Sequence, residues 1–142
     1  MSSNRTGQEI EDAVFGLLKN SSISGEITGD VMLHGIRPRE SHVEDAVVKF
    51  VAGLPGQIET GIVVVNIFVP DIDAYGNGQL VPDKGRLTEL EQYAAAWVEE
   101  LKKKQTVSGF QISLADTIHS TEFSEKQEHF VVIRLKYRAL EK

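Results

Sequence analysis

A chain of 142 residues fits one domain and can bury about two-thirds of its unfolded surface, so it needs no covalent staples. It has no cysteine, which excludes disulfides, thiolate metal sites and a cysteine nucleophile. A formal net charge of −6 argues against tight binding of nucleic acid over the whole surface and leaves room only for a local basic patch.

Residues 1–6 are polar and are expected to fray. They also lack the apolar core of a signal peptide, and no apolar segment approaches the roughly 20 residues that span a bilayer. A soluble, cytosolic chain is expected. Thr6-Gly7-Gln8-Glu9 has the form of a capping box, with Thr6 as N-cap. The helix it starts is predicted over Gln8–Asn20, where Ile10, Ala13, Val14, Leu17 and Leu18 form one apolar stripe. Residues 21–30 read as a Ser- and Gly-rich loop that can dip Ile23 and Ile27 into the core, and Val31–Ile36 as a short strand. Pro38 forbids a regular helix through Arg37–Asp45, so that polar run is read as an exposed excursion between strands.

Ala46–Ala52 alternates as a strand, and Gly53-Leu54-Pro55-Gly56 turns the chain. Gly61–Val69, closed by Pro70, is the longest apolar run and is dominated by valine and isoleucine. Such β-branched residues suit an extended backbone, and this segment is predicted to be the central strand. Val63, Val65, Ile67 and Val69 are expected to face the helices. Asn66 interrupts the other face, so that face is expected to be less completely buried and covered by a loop or another subunit. The short connection makes an antiparallel pair of 46–52 with 57–69 the simplest topology.

The stretch 71–86 reads as a long loop with Gly76, Gly78, Pro82 and Gly85. A second helix is predicted from Leu87 to about Lys104, with Leu87, Leu90, Ala94, Trp97, Val98 and Leu101 on its buried face. Glu89 and Glu91 near its start, and Lys102, Lys103 and Lys104 at its end, match the helix dipole. After a turn at Ser108-Gly109, Phe110–Leu114 alternates as a strand, Thr117–Glu128 is a polar, irregular or bulged connection, and Phe130–Arg138 closes the fold. The order α-β-β-β-α-β-β describes one α+β domain, a mainly antiparallel sheet packed against two helices.

Signals for chemistry are weak. Asp71-Ile72-Asp73 with Asn77 lacks the spacing of a calcium loop, so Asx turns in a solvated loop are favoured. The histidines at 34, 42, 119 and 129 make no zinc-helix pair, although His34 and His119 could meet across a sheet. Asp116, His119 and Ser120 carry almost no weight as a catalytic set, because triads are recognised by geometry. No catalytic residue, metal ligand or cofactor site is assigned. Arg37 and Arg39 are either part of a solvated loop balanced by Glu40, Glu44 and Asp45 or a subunit contact. Arg134, Lys136 and Arg138 on one face of the last strand either guard an edge or meet acidic residues of a neighbouring subunit, such as Glu122, Glu125 or Glu128.

Over nearly its whole length the chain resembles the tail-completion, or tail-terminator, family of tailed phages and prophages. Three pieces carry the resemblance. The first is the leading helix with Val14-Phe15-Gly16-Leu17-Leu18, then a short strand and a Pro-containing segment, Val31–Glu40. The second is Val63–Asp71 followed by the single long helix over Leu87–Leu101. The third is Phe110–Leu114, the acidic link Thr121–Glu128 and the final strand Phe130–Arg138. The chain departs from the family in its longer Asp71–Gly85 loop, which could itself be an assembly arm. The resemblance implies a non-enzymatic virion component without cofactor. It would form a ring, often hexameric, that joins the tail tube to the head connector and through which DNA passes without specific binding. It implies cytoplasmic assembly, a place in the virion tail and no membrane partner. Arg37, Arg39, Asn66, Asp71, Asp73, Arg134, Lys136 and Arg138 are the candidate interface residues. The alternatives are a small stand-alone protein that binds a partner or ligand with the 71–86 loop, and, third, a small hydrolase or metal-dependent enzyme using Asp71, Asp73 and His119.

Overall fold

The apolar run that dominates the sequence lies at the centre of the sheet. In the computed structural model, which describes residues 6–54, 59–104 and 109–139, the order is α1 (Gly7–Lys19), α2 (Ile23–Glu26), β1 (Val31–Leu33), β2 (Ala46–Leu54), β3 (Thr60–Pro70), α3 (Lys84–Lys103), β4 (Phe110–Leu114), β5 (His119–Phe123) and β6 (Glu128–Ala139). The expected fraying of residues 1–5, the Pro55-Gly56 part of the turn and Ser108 fall outside the described residues. The six-stranded sheet has the path β1-β2-β3-β6-β4, with β5 also on β6. β3 pairs antiparallel with β2 on one side and, from Thr60↔Arg138 to Pro70↔Glu128, with β6 on the other. The fold is α+β with a mainly antiparallel sheet; the one parallel pair among the described strands is β1 with β2.

The predicted elements differ from the observed ones where tertiary contacts act. α1 starts at the expected capping box: Thr6 Oγ1 accepts the Glu9 N–H at 3.2 Å and Glu9 Oε1 accepts the Thr6 N–H at 2.9 Å. The expected 21–30 loop contains the one-turn α2, which buries Ile23, and Ile27 is buried beside it. β1 ends at Leu33 rather than Ile36, because Gly35 takes a positive φ of 91° and turns the chain away. α3 begins at Lys84 rather than Leu87, because the Asp83 carboxylate accepts the Arg86 N–H and caps the helix three residues earlier. The polar 117–128 connection contains β5, so β4 and β5 lie end to end along one edge of β6. Leu114 pairs Leu135 and His119 pairs Val132, so two extra residues bulge out at the join.

α1 and α3 cover one face of the sheet. Val63, Val65, Ile67 and Val69 of β3 and Val131, Ile133, Leu135 and Tyr137 of β6 point into this layer, as expected, and Trp97 is buried on α3. The edge of β2 beyond β1 is guarded by α1: the Phe50 N–H donates to the Glu11 carboxylate at 2.8 Å.

Gly53 and Gly61 face each other across β2 and β3, and Gly61 pairs Tyr137 across β3 and β6. The Tyr137 ring fills the space the two glycines leave, edge-on to Phe110 at 5.6 Å. Its hydroxyl is buried with no hydrogen-bond partner among the described residues, and burial, with the charge of Glu59, raises its pKa. A buried orphan hydroxyl carries its full desolvation cost. Tyr137→Phe is therefore expected to leave stability unchanged or to raise it by about 1 kcal/mol in urea unfolding.

Candidate assembly surface

The face of the sheet opposite the helices is where the singled-out residues gather. Met32, Val47, Asn66, Val132 and His119 make one row across five strands. Lys49, Val64 and Arg134 make the next row, and Lys136 and Arg138 continue the basic end of the face beside Ile62 and Thr60. In the other direction lie Phe68 and Phe130, with Phe123 at the β5 edge; Phe68 meets Phe123 at 5.4 Å and Phe130 at 5.3 Å. Ile62, Asn66, Phe68, Phe130 and Val132 are only half-buried, whereas the matching positions on the helix side are sealed. The Asn66 Oδ1 is buried under its neighbours and has no hydrogen-bond partner among the described residues.

The Arg37–Asp45 segment crosses one end of this face; residues 38–40, 42 and 43 are exposed as expected, and the expected exposed excursion is corrected only at its ends. The Arg37 side chain is 10% exposed, and it bonds Asp45 and Glu128, whose side chains are 3% and 2% exposed. Its Nε meets Asp45 Oδ2 at 2.9 Å, while Nη1 and Nη2 meet Glu128 at 3.1 and 2.8 Å. The guanidinium also lies 4.0 Å from the centroid of the Phe68 ring. One side chain thus ties the starts of β2 and β6 together across β3. Burial lowers the Arg37 pKa, but the bonds to Glu128 and Asp45 outweigh it and hold the pKa above its ordinary value. Burial raises the Asp45 carboxyl, and bonds from Ser41, Arg37 and the Asp30 N–H outweigh that, leaving its pKa below the usual 3.8. Glu44 is likewise no solvated counter-charge: Arg86 holds it at 2.7 and 2.8 Å and also donates to the Glu26 carbonyl, tying the start of α3 to the end of α2. The partners lie far along the chain, so local charge balance gave no sign of them.

The other candidates have separate roles. Arg39 is exposed. Arg134 pairs Asp116 at 3.3 Å, and Lys136 and Arg138 are exposed on the same face. Asp71 accepts from or pairs with His129 at 2.8 Å on the helix side of the sheet end. Asp73 accepts the Asn77 and Gly78 N–H groups at 3.0 Å each, the Asx-type bracing expected of a solvated loop. Ile72 and Val81 exchange two backbone bonds at 2.8 Å, so the 71–83 loop is a braced arm.

No described site unites the residues weighed for catalysis. Asp116 is bonded to Arg134, Ser120 to Glu91 and the His119 ring to the Thr117 carbonyl. His34 follows β1 and His119 lies on β5, at opposite edges of the sheet with three strands between. Of the proposed acidic partners of the basic row, Glu128 is already bound to Arg37, while Glu122 and Glu125 stay exposed. Among the described residues no helix is long and apolar enough to cross a membrane.

No family model and no curated protein matches this chain. It is similar to a solved protein named only by a sequence identifier, at 16% identity over 98% of this chain and 99% of that one, with a TM-score of 0.49. A likeness of that degree carries no argument about function.

Proposed function

We propose that the chain is a structural assembly protein of a phage or prophage tail, working without cofactor or catalysis as a ring that completes the tail and joins it to the head connector. The observation that carries this reading is the half-apolar sheet face opposite the helices. A sheet face that leaves Ile62, Phe68, Phe130 and Val132 half-buried gains by burial against a further layer, and the 34–43 segment covers only one end of it. In a ring each subunit meets its two neighbours through two different surfaces, and rotation closes the contact. Lys136 and Arg138 would then set the register, with Glu122 available as an acidic partner on the next copy. The net charge of −6 suits a lumen through which DNA slides without being held. Tail-tube and head-connector proteins are the outer partners, and the virion tail is the destination.

Electron micrographs of tail tubes from the parent phage test the function itself. Tubes made with this chain are expected to carry a ring at one end; tubes made without it should have bare ends and uncontrolled length. Identical tubes in both preparations would refute the assignment.

A further inference from the structure

Two surfaces that share no residue combine exposed apolar groups with opposite local charge. On the sheet face, the 34–39 segment and the β5–β6 turn enclose a groove of about 650 Å³. Val47, Phe68 and Phe123 give it an apolar lining, while Arg39, Lys126 and Glu125 supply charge. The Arg37 guanidinium also lines it, but its charge is already matched by Asp45 and Glu128. Lys126 donates to the Ser41 carbonyl at 2.8 Å and faces no carboxylate there, so the groove keeps two cations against one anion.

The second surface is the braced arm between β3 and α3, which leaves the sheet end toward the helix layer. Tyr75 is 78% exposed on it, and Ile72 and Leu80 are 39% and 37% exposed. Gly76 and Gly78 take the positive φ values of 67° and 81° that let the arm turn back on the Asp73 carboxylate. From Asp71 to Val81 the arm has two aspartates and no lysine or arginine. Asp71 is engaged by His129, which leaves the Asp73 charge on the arm. A braced arm presents its aromatic side chain without the ordering cost of a flexible loop. None of its residues lines the groove of its own copy.

We propose that the arm of one copy docks in the sheet-face groove of the next, with Tyr75 seated among Val47, Phe68 and Phe123 and Asp73 turned toward Arg39 and Lys126. This rests on reading the chain as a ring subunit and names one of the contacts that hold the ring together. The interaction is heterologous, so it propagates from copy to copy until it closes. Tyrosine in an apolar pocket is the type of anchor that dominates such interfaces.

Sedimentation velocity on the full chain and two exposed-surface variants tests the contact. Tyr75→Ala removes the anchor; the double variant Arg39→Glu with Lys126→Glu reverses the charge of the groove. Each variant alone is expected to associate at least about tenfold more weakly than the parent chain. Each keeps one intact surface, so mixing them should give heterodimers that grow no further. If the parent chain assembles and Tyr75→Ala assembles equally well, or the mixture gives no heterodimer, the arm-in-groove contact is wrong while the ring remains. A parent chain that stays monomeric at every concentration overturns both.

Discussion

Arg37→Met is expected to destabilise the protein by about 3–5 kcal/mol in denaturant unfolding. The loss comes from stranding two carboxylates. Asp45 and Glu128 are almost fully buried, and removing the guanidinium that pairs them leaves buried charge uncompensated. Against a total stability of about 5–15 kcal/mol this is a severe defect. The pH dependence separates it from a packing defect. The folded-state pKa of Asp45 lies below its ordinary value of 3.8, so its contribution to stability is fully present above pH 3.8 and is lost as the pH falls through the lower, folded value. Without Arg37, burial stays while part of what lowers the carboxyl is gone, so Asp45 takes up its proton more readily than in the parent chain and protonation relieves the stranded charge. The gap between parent and variant is therefore widest near neutral pH and narrows in acid. A gap constant from pH 7 to pH 3 would mean that Arg37 matters for its bulk over Phe68 and not for its charge.

Gly61→Ala is the second large effect. A Cβ at this position would lie 2.3 Å from the Ala52 carbonyl oxygen and 2.6 Å from the Tyr137 hydroxyl. The oxygen belongs to the backbone of the neighbouring strand and cannot swing aside, so β2 must move away from β3 or the Tyr137 ring must leave its place. Overpacking of this kind costs about 1–3 kcal/mol, and the backbone clash puts this site at the upper end. Adding Tyr137→Phe to Gly61→Ala removes the hydroxyl from the clash but leaves the Ala52 oxygen and the ring Cε2 at 2.7 Å, so most of the loss should persist in urea unfolding curves. Full recovery in the double variant would locate the whole clash at the hydroxyl.

The parts of the fold that could be read from the sequence are those governed by neighbours along the chain. The valine and isoleucine run of β3 needed only its own side chains to show that it was central, and Asn66 alone distinguished its two faces. The capping box of α1 lies within four residues. The Asp83 cap of α3 was equally local, but Pro82 and Gly85 around it read as loop residues and hid it. Pairings over long distance were not legible. Arg37 meets Glu128 across 91 positions, and Arg86 meets Glu44 across 42, so both looked like parts of solvated loops. β5 was missed for a different reason. His119-Ser120-Thr121-Glu122-Phe123 is mostly polar because it lies at an edge of the sheet, where one side of the strand faces water. The candidate interface divides along the same line. The exposed Lys136 and Arg138 lie where the alternation of β6 placed them, whereas Arg37 and Asp71 are spent on internal contacts to residues distant in the chain.

The open sheet face joins these results to the proposed function: the Arg37 clamp shapes it and Gly61 with Tyr137 keeps its three central strands in register. Its use as a contact between copies is tested most directly by sedimentation velocity over a wide concentration range, with the parent chain beside Ile62→Glu. The parent chain should populate a closed species several times the 15.7 kDa mass of one copy, and Ile62→Glu, folded by circular dichroism, should remain a monomer. Parent and variant sedimenting alike, whether both as monomers or both as the same ring, would contradict the account.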